Sequence, residues 1–122
     1  MNNIKHKPIY NQDGIETAGL FYYIKDKEEV GQLEYRYFPS FDGYMLSDFK
    51  VEEKFRGRGY GTLLMTVAIL HLRKDNSEIE IIANVNAESE AAVKIFKKNN
   101  FINDKEYVNG NNVHVILYKS KE

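Results

Sequence analysis

At 122 residues the chain is long enough for one hydrophobic core, burying roughly two thirds of its unfolded surface. A net charge of −1, with Lys and Arg interleaved among Asp and Glu, argues against a nucleic-acid partner. There is no cysteine, which removes disulfides, thiolate metal sites and a cysteine acyl-enzyme and fits a reducing cytoplasm. The opening MNNIKHKPIY lacks the apolar stretch of a secretion signal, and no apolar run is long enough for a membrane span.

Residues 1–16 are polar and weakly patterned, and read as an irregular N-terminal segment with one short strand near Pro8-Ile9-Tyr10. Asp13-Gly14 marks a turn. TAGLFYYIK reads as a strand ended by Asp26-Lys27-Glu28. EVGQLEYRYF, rich in aromatics, is a second, and Pro39-Ser40-Phe41-Asp42-Gly43 is a turn. YMLSDFKV is a third strand. From Tyr60 to about Arg73 the positions Leu63, Leu64, Val67 and Leu70 fit one helical face, widened by Ile69 and Leu72. EIEIIANV is an interior strand. Asn86 looks like an N-cap for a helix with Ala92, Ile95, Phe96 and Asn99 on one face and Lys94, Lys97 and Lys98 on the other. FINDKEYV, Asn109-Gly110-Asn111-Asn112 and VHVILYKS form a closing hairpin. The order β-β-β-α-β-α-β-β predicts an α/β (α+β) domain over residues 1–122, with a mixed, mostly antiparallel sheet and helices on its faces.

The most informative stretch joins the third strand to the first helix. Lys54-Phe55-Arg56-Gly57-Arg58-Gly59-Tyr60-Gly61-Thr62 carries three glycines at alternating positions. Glycines let the backbone turn sharply and approach a ligand. The first N–H groups of the following helix lack helical partners and lie at the positive end of its dipole. With Arg56 and Arg58, these features make an anion site suited to a pyrophosphate. A P-loop needs a Lys-Ser or Lys-Thr pair after its glycines, and a dinucleotide fold needs G-x-G-x-x-G; neither is here. The bland alternative is a glycine-rich surface turn or an Arg-Gly stretch that binds RNA.

The segment resembles the acetyl-CoA loop of the GNAT superfamily of N-acetyltransferases. That loop reads Arg or Gln, two residues, Gly, one residue, Gly or Ala, and here it is Arg56-x-x-Gly59-x-Gly61. The family's valine five residues before the Arg is Val51. A second block, about thirty residues on, is matched by Val85, Ser89, Ala92, Val93, Ile95, Phe96, Lys98, Asn100 and Phe101. The family usually has a strand and two helices before its first long hairpin. Too few residues precede it here, so the N-terminal helical pair is expected to be missing. That implies an open acceptor site, a protein or peptide acceptor, or a wall supplied by a second subunit in a homodimer.

By this resemblance acetyl-CoA is the co-substrate, a primary amine the acceptor, and no metal takes part. The backbone of Phe49, Lys50 and Val51 would pair with the pantetheine arm. Arg56, Gly57, Arg58, Gly59, Tyr60, Gly61 and Thr62 would hold the pyrophosphate, and Lys98 matches a position that approaches the CoA phosphates. Ser89 stands where an Asn commonly meets the pantetheine amide, with Asn86 as an alternative. Phe96 stands where the family often presents a Tyr proton donor, and Asn84 where it often has a Glu. The catalytic acid and base therefore stay unassigned. Asp48 reads as a base or as solvent-facing strand polarity, and His114, Tyr107 and Tyr118 as cleft residues or as ordinary sheet packing. His6 and His71 are too scattered in sequence to suggest a metal site. Three functions compete: a cytoplasmic N-acetyltransferase, an acyl-CoA-binding module with little catalysis, and a scaffold that has lost the ligand. The intact Arg-Gly loop argues against the last.

Overall fold

The computed structural model describes residues 3–119, so residues 1–2 and 120–122 of the expected domain lie outside the described residues. The elements are β1 (Ile4–Tyr10), β2 (Glu16–Lys25), β3 (Glu28–Phe38), β4 (Gly43–Val51), a 3-10 turn (Glu53–Phe55), α1 (Tyr60–Leu72), β5 (Glu80–Asn86), α2 (Glu90–Lys98), β6 (Phe101–Asn109) and β7 (Asn112–Lys119). The strands form a seven-stranded sheet in the order β1-β2-β3-β4-β5-β7-β6. Every neighbouring pair is antiparallel except β4–β5, which α1 connects in parallel.

The N-terminal segment is more regular than its sequence suggests. β1 is a full strand, paired along its length with β2 from Ile4↔Tyr23 to Tyr10↔Glu16. Its inward positions are Ile4, His6 and Pro8, and its outward ones include two lysines, so the alternation is masked by polar residues. An edge strand tolerates both proline and lysine. A turn at residues 11–15 joins β1 directly to β2, with the Asn11 side chain accepting hydrogen bonds from the N–H groups of Asp13 and Ile15. No helix lies between these two strands.

Both helices pack against the same face of the sheet, over a core of Leu33, Leu46, Leu64, Met65, Ile81, Ala83, Phe96 and Leu117. The opposite face carries no helix among the described residues. The buried side of α1 is Gly61, Leu64, Met65, Ala68 and Leu72. Leu63 and Leu70, expected on that side, are 46% and 68% exposed. The helix is apolar all round, so periodicity could not choose its face. The small residues Gly61 and Ala68 decide it by allowing close approach to the sheet. The N-cap of α2 is Ser89 rather than Asn86. Asn86 ends β5, and its side chain accepts from Glu88 N–H at 2.9 Å, turning the chain one step before the helix.

Candidate functional site

β4 delivers the chain to the glycine stretch, and Arg56 ties the two together. Its Nε donates to the Val51 carbonyl at 2.9 Å, closing the loop over the strand end. This contact gives the five-residue spacing between Val51 and Arg56 a physical cause. Gly57 and Gly59 take φ values of +78° and +84°, which L-residues with a Cβ adopt at a cost. A Cβ on either would meet nothing within 4 Å, so the space outside the loop is open. Gly61 differs. A Cβ there would sit 3.0–3.1 Å from Ile95, Phe49 and Val51, so this glycine lets α1 press against β4 and α2. The first bond of α1 runs from Leu63 N–H to the Gly59 carbonyl at 3.1 Å. The N–H groups of Tyr60, Gly61 and Thr62 are left without helical acceptors at the positive end of the dipole.

A cleft of about 670 Å³ opens in front of these donors. Phe49, Lys50, Val51, Arg56, Gly57, Gly59, Tyr60, Gly61, Thr62, Ser89 and Lys98 all line it. Arg58, exposed on the same loop, does not. Glu88 and Glu90 on the α2 side also line it and offset part of the positive field of Arg56, Lys50 and Lys98.

The cleft continues into a split in the sheet. β4 and β5 pair over only four residues, from Gly43↔Glu80 to Leu46↔Ala83. Beyond them both strands run on without pairing to each other, β4 to Val51 and β5 to Asn86. The cause is a bulge: the β3–β4 register shifts between Gln32 and Glu34, and Asp48 takes a positive φ of 49°. A bulge bends its strand and re-aims side chains. The gap of about 190 Å³ is lined by Ser47, Asp48, Phe49, Asn84, Asn86, Ser89 and Phe96. Next to it Glu34 lies opposite Ser47 and beside Asp48. The neighbouring Asp48 carboxyl, helped by burial, raises the pKa of Glu34 above the ordinary carboxyl value.

A phosphate-sized donor array, a helix start and a splayed pair of parallel strands now share one cleft. The sequence pattern of the Acetyltransferase (GNAT) family matches residues 3–101. The chain belongs to the GNAT acetyltransferase family. Solved GNAT structures share its fold. A ribosomal-protein-S5-alanine acetyltransferase from Vibrio fischeri superposes with a TM-score of 0.72 at 20% identity, covering 87% of this chain and 63% of that one. A putative GnaT-family acetyltransferase from Bordetella pertussis gives 0.71 at 15%, covering 84% and 66%. Escherichia coli ElaA gives 0.71 at 14%, covering 90% and 74%. This GNAT chain thus spans about two thirds of the length of the solved relatives it matches. No curated protein matches it in sequence.

The remaining expected residues of this GNAT chain fall into place unevenly. Phe96 borders the split but is 1% exposed, its ring held edge-on by Phe49 and Phe101 at centroid distances of 5.4 and 5.0 Å. The Tyr107 hydroxyl donates to Asn84 Oδ1 at 2.7 Å, and its ring stacks on His114. Tyr118 lies opposite Ile82 in the sheet and lines neither cleft. Glu34 is absent from the sequence reading, although it carries the clearest perturbed carboxyl at the split. Its signal lay in the predicted turn at residues 39–43. Folding a hairpin about that turn sets Glu34 opposite Ser47, beside Asp48.

Residues that are scattered in sequence can still meet in the fold. His6 and His71, 65 residues apart, are brought together with Glu16, their ligand-type atoms all within 4.8 Å of one another. β1, β2 and the last turn of α1 meet there, and sequence distance says nothing about distance in a sheet of this order. His71 Nε2 donates to Glu16 Oε2 at 2.7 Å, the Tyr35 hydroxyl donates to the same oxygen, and His6 Nε2 lies 2.6 Å from the Tyr35 hydroxyl. Burial pushes the Glu16 pKa up, but the bonds from Tyr35 and His71 outweigh it and hold the carboxyl below its usual value. Burial, reinforced by His71, lowers the pKa of His6.

Proposed function

We propose that the protein transfers an acetyl group from acetyl-CoA directly to a primary amine of a small molecule, peptide or protein. The observation that carries this reading is the continuity of the two clefts. Phe49, Ser89 and Ala92 line both, so a ligand with its pyrophosphate at the α1 N-terminus can extend its arm along β4 into the split. The unpaired edge of β4 supplies backbone groups for the amides of that arm, and an N–H there can meet the oxyanion as it forms. The lack of cysteine supports a cytoplasmic setting.

The chemistry needs a neutral amine at the thioester carbonyl. Its nitrogen forms the new C–N bond, the tetrahedral oxyanion collapses, and the C–S bond breaks to release the CoA thiolate. The proton shed by the amine goes to a base, and the thiolate takes one up. Glu34, beside Asp48 at the split and with its pKa raised by that neighbour, serves as the base. Phe96 has no proton to offer. Ser47 and Ser89 bring hydroxyls to the split, and the Tyr107 hydroxyl reaches its edge through Asn84.

The test combines calorimetry with acetyl-CoA and thiol release over a panel of amines. Binding with turnover supports the transferase. Binding without turnover for any amine would leave an acyl-CoA-binding module, and no binding at millimolar ligand would end both readings. Glu34→Gln tests the base, with an expected fall in kcat of about 10²–10⁴-fold. The fold holds the Glu34 proton more tightly than the unfolded chain does. The group's contribution to stability is therefore present at low pH and lost as pH rises through the raised pKa. Glu34→Gln should accordingly leave the melting temperature at pH 7 unchanged or higher. A lower melting temperature together with full activity would make Glu34 structural.

A further inference from the structure

We propose that His6, Glu16 and His71 form a binding site for a divalent transition metal ion of the zinc type, at the opposite end of α1 from the glycine loop. The argument is geometric. The two imidazoles and the carboxylate come from three elements, β1, β2 and α1, and bring their donor atoms within 4.8 Å of one another. Zinc bonds to N and O ligands at about 2.0–2.1 Å, so a tetrahedral site spaces its ligand atoms by about 3.3 Å. Here Glu16 Oε2 lies 2.7 Å from His71 Nε2 and 3.8 Å from His6 Nε2, bracketing that value.

The surroundings suit an ion as well. Two His and one Glu leave a fourth position open, and the three side chains keep 18–26% exposure, enough for an ion to enter. The ring of His6 is fixed by stacking on Phe21, with centroids 4.2 Å apart and planes 6° from parallel. The Tyr35 hydroxyl, donating to Glu16, orients the carboxylate as outer partners of metal ligands do. Tyr35 itself is 2% exposed, and a Cβ on Gly19 would fall 2.2 Å from its hydroxyl, so the bare backbone at Gly19 makes room for it. The Lys74 ammonium, whose charge acts on Glu16, donates to the His71 carbonyl at 3.4 Å. An ion held here would fasten the edge strand β1 to α1.

Cobalt(II) and zinc(II) titrations of the untagged, chelator-treated full chain test this. The expected result is one equivalent of Co(II) with the intense visible bands of a tetrahedral site, displaced by Zn(II), and a higher melting temperature with metal. His6→Gln and His71→Gln should each weaken binding by at least about a hundredfold, and Tyr35→Phe by about 10–100-fold. His114→Gln should bind like the parent. On the parent chain, long-range proton–nitrogen spectra of the imidazoles should show His6 and His71 shifting with Zn(II) while His114 does not. That measurement needs no variant to fold. The proposal is overturned if no tetrahedral Co(II) spectrum develops. It is also overturned if His114 is the ring that shifts, or if folded His6→Gln and His71→Gln bind as tightly as the parent.

Discussion

The two ends of α1 hold polar groups in opposite ways. At the N-terminal end the donors are backbone N–H groups, the glycines keep space open, and Arg56 is spent on closing the loop. At the C-terminal end the polar atoms belong to side chains, and Tyr35, Glu16, His71 and His6 satisfy one another. A site made of backbone must be written in consecutive residues, because only neighbours can shape one turn. A site made of side chains draws on residues 6, 16, 35 and 71 and leaves no local trace. The first end is therefore poised to meet an anion with its backbone and the second to tie β1, β2 and α1 together, and substitutions at each should separate these properties.

Gly59→Glu should have the largest effect. It puts a negative charge where an anion is expected, and calorimetry should show CoA affinity falling by at least about a hundredfold, or about 2.7 kcal/mol. Because Gly59 has φ +84°, the variant should also lose about 1–2 kcal/mol of stability, read as a lower melting temperature. Undiminished CoA affinity in the folded variant would erase the distinction between the two ends.

Glu16→Ala should do the converse. It strands the Tyr35 hydroxyl and the His71 N–H, costing about 1–3 kcal/mol in denaturant melts of the metal-free chain. CoA affinity should not change, and a loss of affinity without a loss of stability would couple the two ends. Phe96→Tyr lies between them in character. Its ring is packed in the core, so a new hydroxyl without a partner should cost about 1–3 kcal/mol and bring no gain in rate. A faster, equally stable variant would show that the ring reaches the split. Arg58→Ala should be mildest, changing CoA affinity by less than about threefold, since the N–H donors remain and Arg58 does not line the cleft. A tenfold loss in a binding titration would give that side chain a direct role.

The contrast also explains what could be read in advance. The loop, the helix after it and the strand order around it were legible because turn chemistry, glycine spacing and hydrophobic patterning act over a few residues. The buried face of α1 was not, because an apolar run such as TLLMTVAIL offers no polar side to exclude. β1 was nearly hidden because its inward residues include a histidine and a proline. The Glu34–Asp48 pair and the His6–Glu16–His71 cluster depend on register across strands, which a single sequence states only through its turns.

The short β4–β5 ladder has a mechanical consequence. It joins two blocks, a β1–β4 meander on one side and β5, β7 and β6 on the other. Four rungs are the whole main-chain seam between them, and α1 is the strut that spans it. Contacts close in sequence form early, and distant ones wait for loop closure, so the β1–β4 meander and the β6–β7 hairpin should assemble before β5, whose partners on both sides are distant in sequence, joins them. The same seam is where the finished molecule yields first under thermal agitation, its amides exchanging with solvent ahead of those in the hairpins on either side. The split then behaves as a hinge, and its width is set by how firmly four rungs and one helix hold the two blocks together.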